Sequence, residues 1–268
     1  MAYILSINNA KGGVGKTTTT INVAAGLAKL GRRVLAVDFD PQGGLTVASG
    51  LDAAHLSASM YHVIWDRLPI TEIIQPSPIG YAVAPTNIDL VSAEFQLMER
   101  EGRDDRERAL VRALAAVQDA YDYILVDNQP TLGLLAMNAL TAADGVIVPI
   151  ATEYMALRGF DNLLRLMQIL GRKRNAGIKI LGVLATLFDR RNNHSKEMLA
   201  EIAAACQQAK IPLFKQVIAA SVRFKEAPVA SQSILDYWPD LEGAMAYLNL
   251  ARALDRQLYP AVGAASHG

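Results

Sequence analysis

Residues 10–20 read AKGGVGKTTTT. Gly15, Lys16 and Thr17 meet the phosphate-loop template G-x-x-x-x-G-K-[ST], but the glycine due five positions before Gly15 is Ala10, and a second lysine, Lys11, follows it. An apolar run, YILSIN (3–8), precedes the stretch, and a helical pattern closing on Gly31 follows it. In that strand, turn and helix context, Gly12, Gly13 and Gly15 free the backbone to turn N–H groups inward around phosphate oxygens, with Val14 and Thr18 completing the cradle. Lys16 is expected to neutralise the β- and γ-phosphates, and Thr17 to offer its hydroxyl to Mg²⁺, a cation that prefers hard oxygen ligands.

Working outward, short apolar runs recur between longer helical patterns: RVLAVD (33–38), YAVAP (81–85), YDYILVD (121–127), GVIVPI (145–150), IKILGVLAT (178–186) and PLFKQVI (212–218). Continuous apolar runs suit strands buried on both faces. The expected fold is therefore α/β: a doubly wound, mostly parallel sheet with helices on both faces. RERALVRALAAVQDA repeats apolar residues at helical spacing, and the charge-dense stretch before it (99–108) reads as a solvent-facing loop. No repeat or low-complexity linker interrupts the chain, so one domain is expected over 1–258, with a flexible tail over 259–268.

Ligands of open α/β sheets sit beyond the carboxyl ends of the strands, which draws two acidic segments to the loop. In VDFDPQGGLT (37–46), Asp38 and Asp40 end the second strand, and Asp40 is placed to orient an attacking water. In YDYILVDNQPTLG (121–133) the strand runs into Asp127, which suits the second carboxylate of a hydrated Mg²⁺ site. Each aspartate alone is an ordinary strand-end residue; with the glycine-rich loop they make a site for ATP and Mg²⁺.

The 268 residues carry 26 basic and 26 acidic side chains, so total charge argues for no polyanionic partner. Between Arg158 and Lys225, however, thirteen basic residues stand against four acidic ones. These are either solvated helix faces or, in part, a patch that attracts a polyanion. The single cysteine, Cys206, lies in an alanine-rich stretch and excludes an internal disulfide or a cysteine metal pair. With no leader and no run of membrane-spanning length, a cytoplasmic location is expected.

KGGVGKTT, VDFDPQGGLT and ILVDNQPTLG resemble the three nucleotide motifs of the deviant Walker A group of P-loop ATPases, in particular the ParA-type partition ATPases, also called the Soj family. The likeness continues through EYMALRGFDNLL (153–164), TLFDRRNNHSKEML (186–199) and residues 222–251. It implies a slow ATPase that closes as an ATP-sandwich homodimer, with Lys11 reaching the partner's phosphates, Lys16 and Thr17 serving the nucleotide and Mg²⁺, Asp40 positioning the water, and Asp127 supporting the metal. Two motifs depart from the family pattern. Gly44 replaces the asparagine of D-P-Q-G-N, and Asp127-Asn128-Gln129-Pro130-Thr131 replaces D-C-P-P-S, a lost proline that is expected to free the turn.

The same resemblance implies non-specific DNA binding by the ATP dimer, association with the nucleoid, and a ParB-like protein that stimulates hydrolysis. The matching basic positions are Arg190, Arg191 and Arg223, with Lys225 nearby. Alternatively, Arg190 or Arg191 pairs with Asp189 or a helix end. The family's P-R-N-V-R before L-S-E-A-P reads here Ala219-Ala220-Ser221-Val222-Arg223, a change where the family contacts adenine.

Other members of the group fit less well. Cluster carriers and arsenite-type ATPases use cysteines that this chain lacks, and the last helical stretch, EGAMAYLNLARALDRQL, has few basic residues for a MinD-like membrane anchor. The apolar core begins at residue 3, so no N-terminal helix-turn-helix is expected. Two alternatives to DNA partition are a ParA-like ATPase that positions a protein cargo, such as a microcompartment or a chemoreceptor cluster, and a metabolic enzyme of the dethiobiotin-synthetase type.

Overall fold

The computed structural model describes residues 1–259 apart from 155, 174 and 176. The first half runs β1 (Tyr3–Ile7), α1 (Lys16–Lys29), β2 (Val34–Phe39), α2 (Gly44–Ala48), α3 (Met60–Ile64), β3 (Gln75–Pro76), β4 (Ala82–Ala84), α4 (Leu90–Glu99), α5 (Arg103–Glu107) and α6 (Ala109–Ala115). The second half runs β5 (Tyr123–Asn128), α7 (Leu134–Ala142), β6 (Gly145–Ala151), α8 (Ala156–Lys173), β7 (Lys179–Phe188), α9 (Asn193–Ala209) and β8 (Leu213–Ala219), closing with α10 (Arg223–Val229), α11 (Ile234–Tyr237) and α12 (Glu242–Leu258).

The strands form one sheet in the order β3-β4-β2-β5-β1-β6-β7-β8. Every pairing is parallel except that of β3 with β4. The doubly wound α/β fold expected from the apolar runs is thus the fold observed, with the two-residue β3 added at one edge. Pro76 supplies no N–H, as befits an edge position.

Alternation along the strands divides the core in two. Ile4, Leu35, Val37, Phe39, Ile124 and Val126 face α3, α4, α6 and α7, while Leu5, Ile7, Ala36, Tyr123 and Leu125 face α1 and α12. The first layer continues over β6 and β7, where Val146, Val148, Ile150 and Val183 pack with Phe160 and Leu163 of α8 and Met198, Ile202 and Cys206 of α9. Helix α1 is buried over most of its surface because α12 covers the side turned away from the sheet. A Cβ on Gly26 would lie only 2.7 Å from the Ala251 Cβ, so glycine permits this close helix approach.

The expected loop over 99–108 contains α5 instead. Asp105 on this helix draws Arg67 and Arg112 to 3.0 Å and Arg100 to 3.8 Å, an ion-pair cluster that a count of local charge does not reveal. Asn138 of α7 also accepts from the Leu110 N–H and donates to the Arg106 carbonyl, tying the segment to the core layer. At the other end, Tyr259, assigned to the tail from sequence, is packed. Its ring lies edge-on to Tyr123 at 5.1 Å, beneath the Arg32 guanidinium, and its hydroxyl donates to the Asp122 carbonyl. Residues 260–268 of the expected tail lie outside the described residues.

Candidate functional site

Strands β1, β2 and β5 lie together at the centre of the sheet, with Ile7 beside Asp127 and Asp127 beside Asp38 in register. Their carboxyl ends therefore deliver three segments to one place: the glycine loop, residues 38–46 and residues 127–133. The loop is fixed at both ends. Asn9 donates its amide to the Pro149 carbonyl and accepts from the Lys11 N–H, while Thr186 of β7 donates its hydroxyl to the Val14 carbonyl. The Val14 side chain is buried, so its share in any cradle is backbone alone.

Gly13 and Gly15 have φ of 73° and 83°, a left-handed conformation that other residues adopt only with strain. Gly15 caps α1 without a side-chain hydrogen bond, which leaves the first N–H groups of a 14-residue helix open to an anion. A cavity of about 810 Å³ opens over Gly12, Gly13, Gly15, Lys16, Thr17 and Thr18. Asp40, Pro130 and Glu153 border it, and its far wall runs from Leu187 to the segment 220–225.

Lys16 is buried and its ammonium donates to the Lys11 carbonyl at 3.1 Å. Burial lowers its pKa, while Asp127 and Asp40 pull it back up. Thr17 and Thr20, three residues apart on one face of α1, donate to the two oxygens of Asp127 at 2.7 and 3.1 Å. Burial pushes Asp127 up to about 6 against those hydrogen bonds. Asp38, also fully buried, accepts from the Thr46 N–H and hydroxyl and from the Asp40 N–H. Desolvation and the neighbouring Asp127 nonetheless push Asp38 up to about 8. Asp40 lies just past β2, half-buried on the cavity, and accepts from the Gln42 N–H.

Thr17, Lys16, Asp40 and Asp127 are thus brought together. The donor set fits a polyphosphate with a hydrated divalent ion: open helix amides and one buried ammonium for the phosphate, a hydroxyl backed by a carboxylate for the metal. Among the described residues no three His, Cys, Asp or Glu side chains gather as a metal cage. Bound magnesium would draw its remaining ligands from phosphate oxygens and water, as it commonly does.

Lys11 does not join this group. Its ammonium points to β6–α8, 3.2 Å from the Tyr154 carbonyl and 3.8 Å from Glu153. The expected basic DNA contacts also fall in different settings. Arg190 pairs with Glu242 at the start of α12, one of the helix-end pairings foreseen for it, and Arg191 is exposed with its backbone N–H on Asp189. Arg223 pairs with Glu226 and lies over the Trp238 ring at 4.2 Å, while Lys225 lines the cavity.

The turn after Asp127 is not freed. The Asn128 amide donates to the Ser6 hydroxyl and to the Ile7 and Val126 carbonyls, and the Gln129 amide donates to Glu94. Glu94 also accepts from the Leu135 N–H near the start of α7. Hydrogen bonds therefore restrain the segment that lost its proline. Gly44, which replaces asparagine, lies where a Cβ would meet Thr17 at 3.8 Å, so the substitution leaves space beside the hydroxyl. Sequence reading assigned no role to Thr20 or Glu153; the three-residue spacing within TTTT was the available signal for Thr20, and none marked Glu153.

Comparison with known proteins agrees with this geometry. Residues 2–180 match a family described as AAA domain. The chain is 40% identical to the sporulation initiation inhibitor protein Soj of Bacillus subtilis, over 94% of this chain and 98% of that protein. It is 38% identical to the chromosome partitioning protein ParA of Myxococcus xanthus, over 96% and 89% of the two chains. A solved structure named cobyrinic acid a,c-diamide synthase from Mycobacterium smegmatis, with bound ATP analog and magnesium, superposes with a TM-score of 0.84 at 36% identity, covering 96% of each chain. No helix among the described residues is long and apolar enough to cross a membrane. With its central phosphate loop, its strand-end aspartates and this agreement over almost its full length, the chain belongs to the AAA-domain P-loop family of the Soj and ParA partition proteins.

Proposed function

We propose that this protein is an ATP-dependent partition switch: MgATP closes a homodimer, the dimer binds DNA without sequence preference, and a ParB-like partner stimulates hydrolysis and release. The observation that carries the reading is the convergence of the open α1 terminus, Lys16 and the Thr17–Asp127 pair on one cavity bordered by Asp40. Gly12 to Thr18 hold the phosphate chain, and Thr17 with Asp127 holds the metal. Bound Mg²⁺ offsets phosphate charge. Asp40 orients the attacking water, and positioning with electrostatics supplies most of the rate for a reaction yielding ADP and phosphate. Lys11, held loosely in its own chain, is available to a partner's nucleotide. Arg190, Arg191 and Arg223, doubled by dimerisation, supply phosphate contacts whose binding falls steeply with salt. Such a protein works in the cytoplasm, on the nucleoid when ATP-bound.

The test is DNA binding by the wild type, Lys11→Ala and Arg223→Ala with ATP, ADP or no nucleotide across a salt series. Binding that requires ATP in the wild type and is lost in Lys11→Ala supports the switch. Equal binding in all nucleotide states, or none in any, rejects it.

A metabolic enzyme is the second reading, favoured by the name of the Mycobacterium smegmatis structure. It requires ATP turnover that depends on a metabolite and is indifferent to DNA.

A further inference from the structure

The far wall of the cavity is made by Leu187, Ala220, Ser221, Val222, Phe224 and Lys225. Four of these, Leu187, Ala220, Val222 and Phe224, are apolar side chains of β7 or the β8–α10 region, and the Ser221 hydroxyl oxygen already accepts the Arg223 N–H at 3.3 Å. Lys225 therefore brings the one full charge to this wall. Its ammonium makes no ion pair or side-chain hydrogen bond among the described residues, whereas Arg223, two residues away, is held by Glu226.

The helix carrying Lys225 is rigidly referenced to the phosphate loop. The Phe224 ring fills the space beside Gly243, where a Cβ would lie 2.6 Å from it, and meets Tyr247 edge-on at 5.9 Å. The Tyr247 hydroxyl bonds the Thr19 hydroxyl at 3.1 Å, and Thr19 lies on α1 within three residues of Lys16, Thr17 and Thr18. In the same first turn of α10, the Lys225 N–H donates to the Val222 carbonyl at 2.8 Å. Both sides of the cavity are thus fixed to one framework, and Lys225, exposed and without an ion pair among the described residues, lines it together with the phosphate loop. The partition-ATPase pattern quoted above has Leu-Ser where this chain has Phe224-Lys225.

We propose that Lys225 is a nucleotide ligand of this chain, donating from the far wall to acceptor atoms of the nucleoside, and is not a DNA contact. The inference rests on the nucleotide reading given under Proposed function. An ammonium has three donors and no acceptor, so it suits the ring nitrogens of the base and the oxygens of the ribose. The phosphates themselves belong to the loop on the opposite wall.

The experiment compares binding of MgADP and of magnesium with inorganic triphosphate by calorimetry, for the wild type, Lys225→Met and Lys225→Ser. Inorganic triphosphate fills the loop but does not extend to the far wall. Both variants are expected to weaken MgADP by about tenfold, the scale of one charge-assisted hydrogen bond, and to leave triphosphate affinity unchanged. The salt slope of DNA binding by the ATP-bound protein stays at the wild-type value. Unchanged ADP affinity, an equal loss for ADP and triphosphate, or a reduced DNA slope without loss of ADP overturns the proposal. A wild type that binds neither ADP nor triphosphate instead rejects the nucleotide reading itself.

Discussion

The Lys11 ammonium lies 3.8 Å from the Glu153 carboxylate of its own chain, and both side chains remain partly exposed. An ion pair of this kind contributes at most about 1 kcal/mol, so little holds Lys11 in place. Lys11→Ala is expected to keep ATP affinity within about threefold and to lose the ATP-dependent dimer, since a phosphate chain desolvated by the partner is the stronger attraction. Light scattering with ATP and with ADP checks this; an intact ATP dimer removes the role given to the lysine.

Lys16 differs from Lys11 in being buried and aimed at the loop. Lys16→Met is expected to reduce MgATP affinity by at least about a hundredfold, the worth of a desolvated charge on a polyphosphate. Calorimetry at fixed magnesium measures it, and a loss of only a few-fold contradicts the placement.

The pKa of Asp38 is raised to about 8, so the folded protein retains a proton that the unfolded chain releases near the ordinary carboxylate value. The stability associated with that proton is complete below about pH 4 and declines as pH rises to about 8. Asp38→Asn, which keeps an acceptor for Thr46, is therefore expected to stabilise the nucleotide-free protein by about 1–3 kcal/mol at pH 8 and by nothing measurable at pH 4. Urea denaturation at the two pH values decides; an equal effect at both counts against the carboxyl as the source.

Glu94 bridges the Gln129 amide and the Leu135 N–H, at 3.1 and 3.2 Å. Glu94→Ala leaves an amide and a helix N–H unpaired and is expected to cost about 1–2 kcal/mol. The loss is localised: hydrogen exchange accelerates over residues 129–135 and not in β5. Uniform acceleration argues against a local tether.

Arg191 is exposed and pairs with no acid among the described residues, whereas Arg190 and Arg223 do. Arg191→Ala is expected to reduce the salt slope of DNA binding by about one per protomer contact, with ATP affinity unchanged. A titration over a fourfold range of salt distinguishes this from a slope that does not move.

How much of this was legible beforehand follows from the range of the interactions. The apolar runs ending in Asp38 and Asp127, and the glycine loop between strand and helix, are local patterns, and they suffice to bring the three segments to one end of the sheet. Strand β3 was not legible because two residues ending in Pro76 carry no periodic signal. Helix α5 reads as a loop in sequence because the groups that hold it, Arg67, Arg100 and Arg112 on Asp105 and Asn138 on Arg106, all come from outside it. Asn128 and Gln129 were read as a slackened turn because their partners, Ser6 and Glu94, are distant in sequence. Lys225 is grouped with the arginines by charge and by its closeness to Arg223 in sequence, while its place on the cavity lining is a matter of tertiary packing.

Gly26 against Ala251 joins two helices separated by more than two hundred residues, and α12, with the short α11 beside it, covers the outer side of α1. During synthesis the phosphate loop and α1 leave the ribosome long before α12 exists, so the apolar outer face of α1 stays wet until almost the whole chain is made. Assembly of the nucleotide loop is therefore a late event governed by a contact of very high sequence separation. A chain stalled before residue 242 would carry every strand and every phosphate-loop residue, yet it would present to chaperones the surface that the finished protein hides.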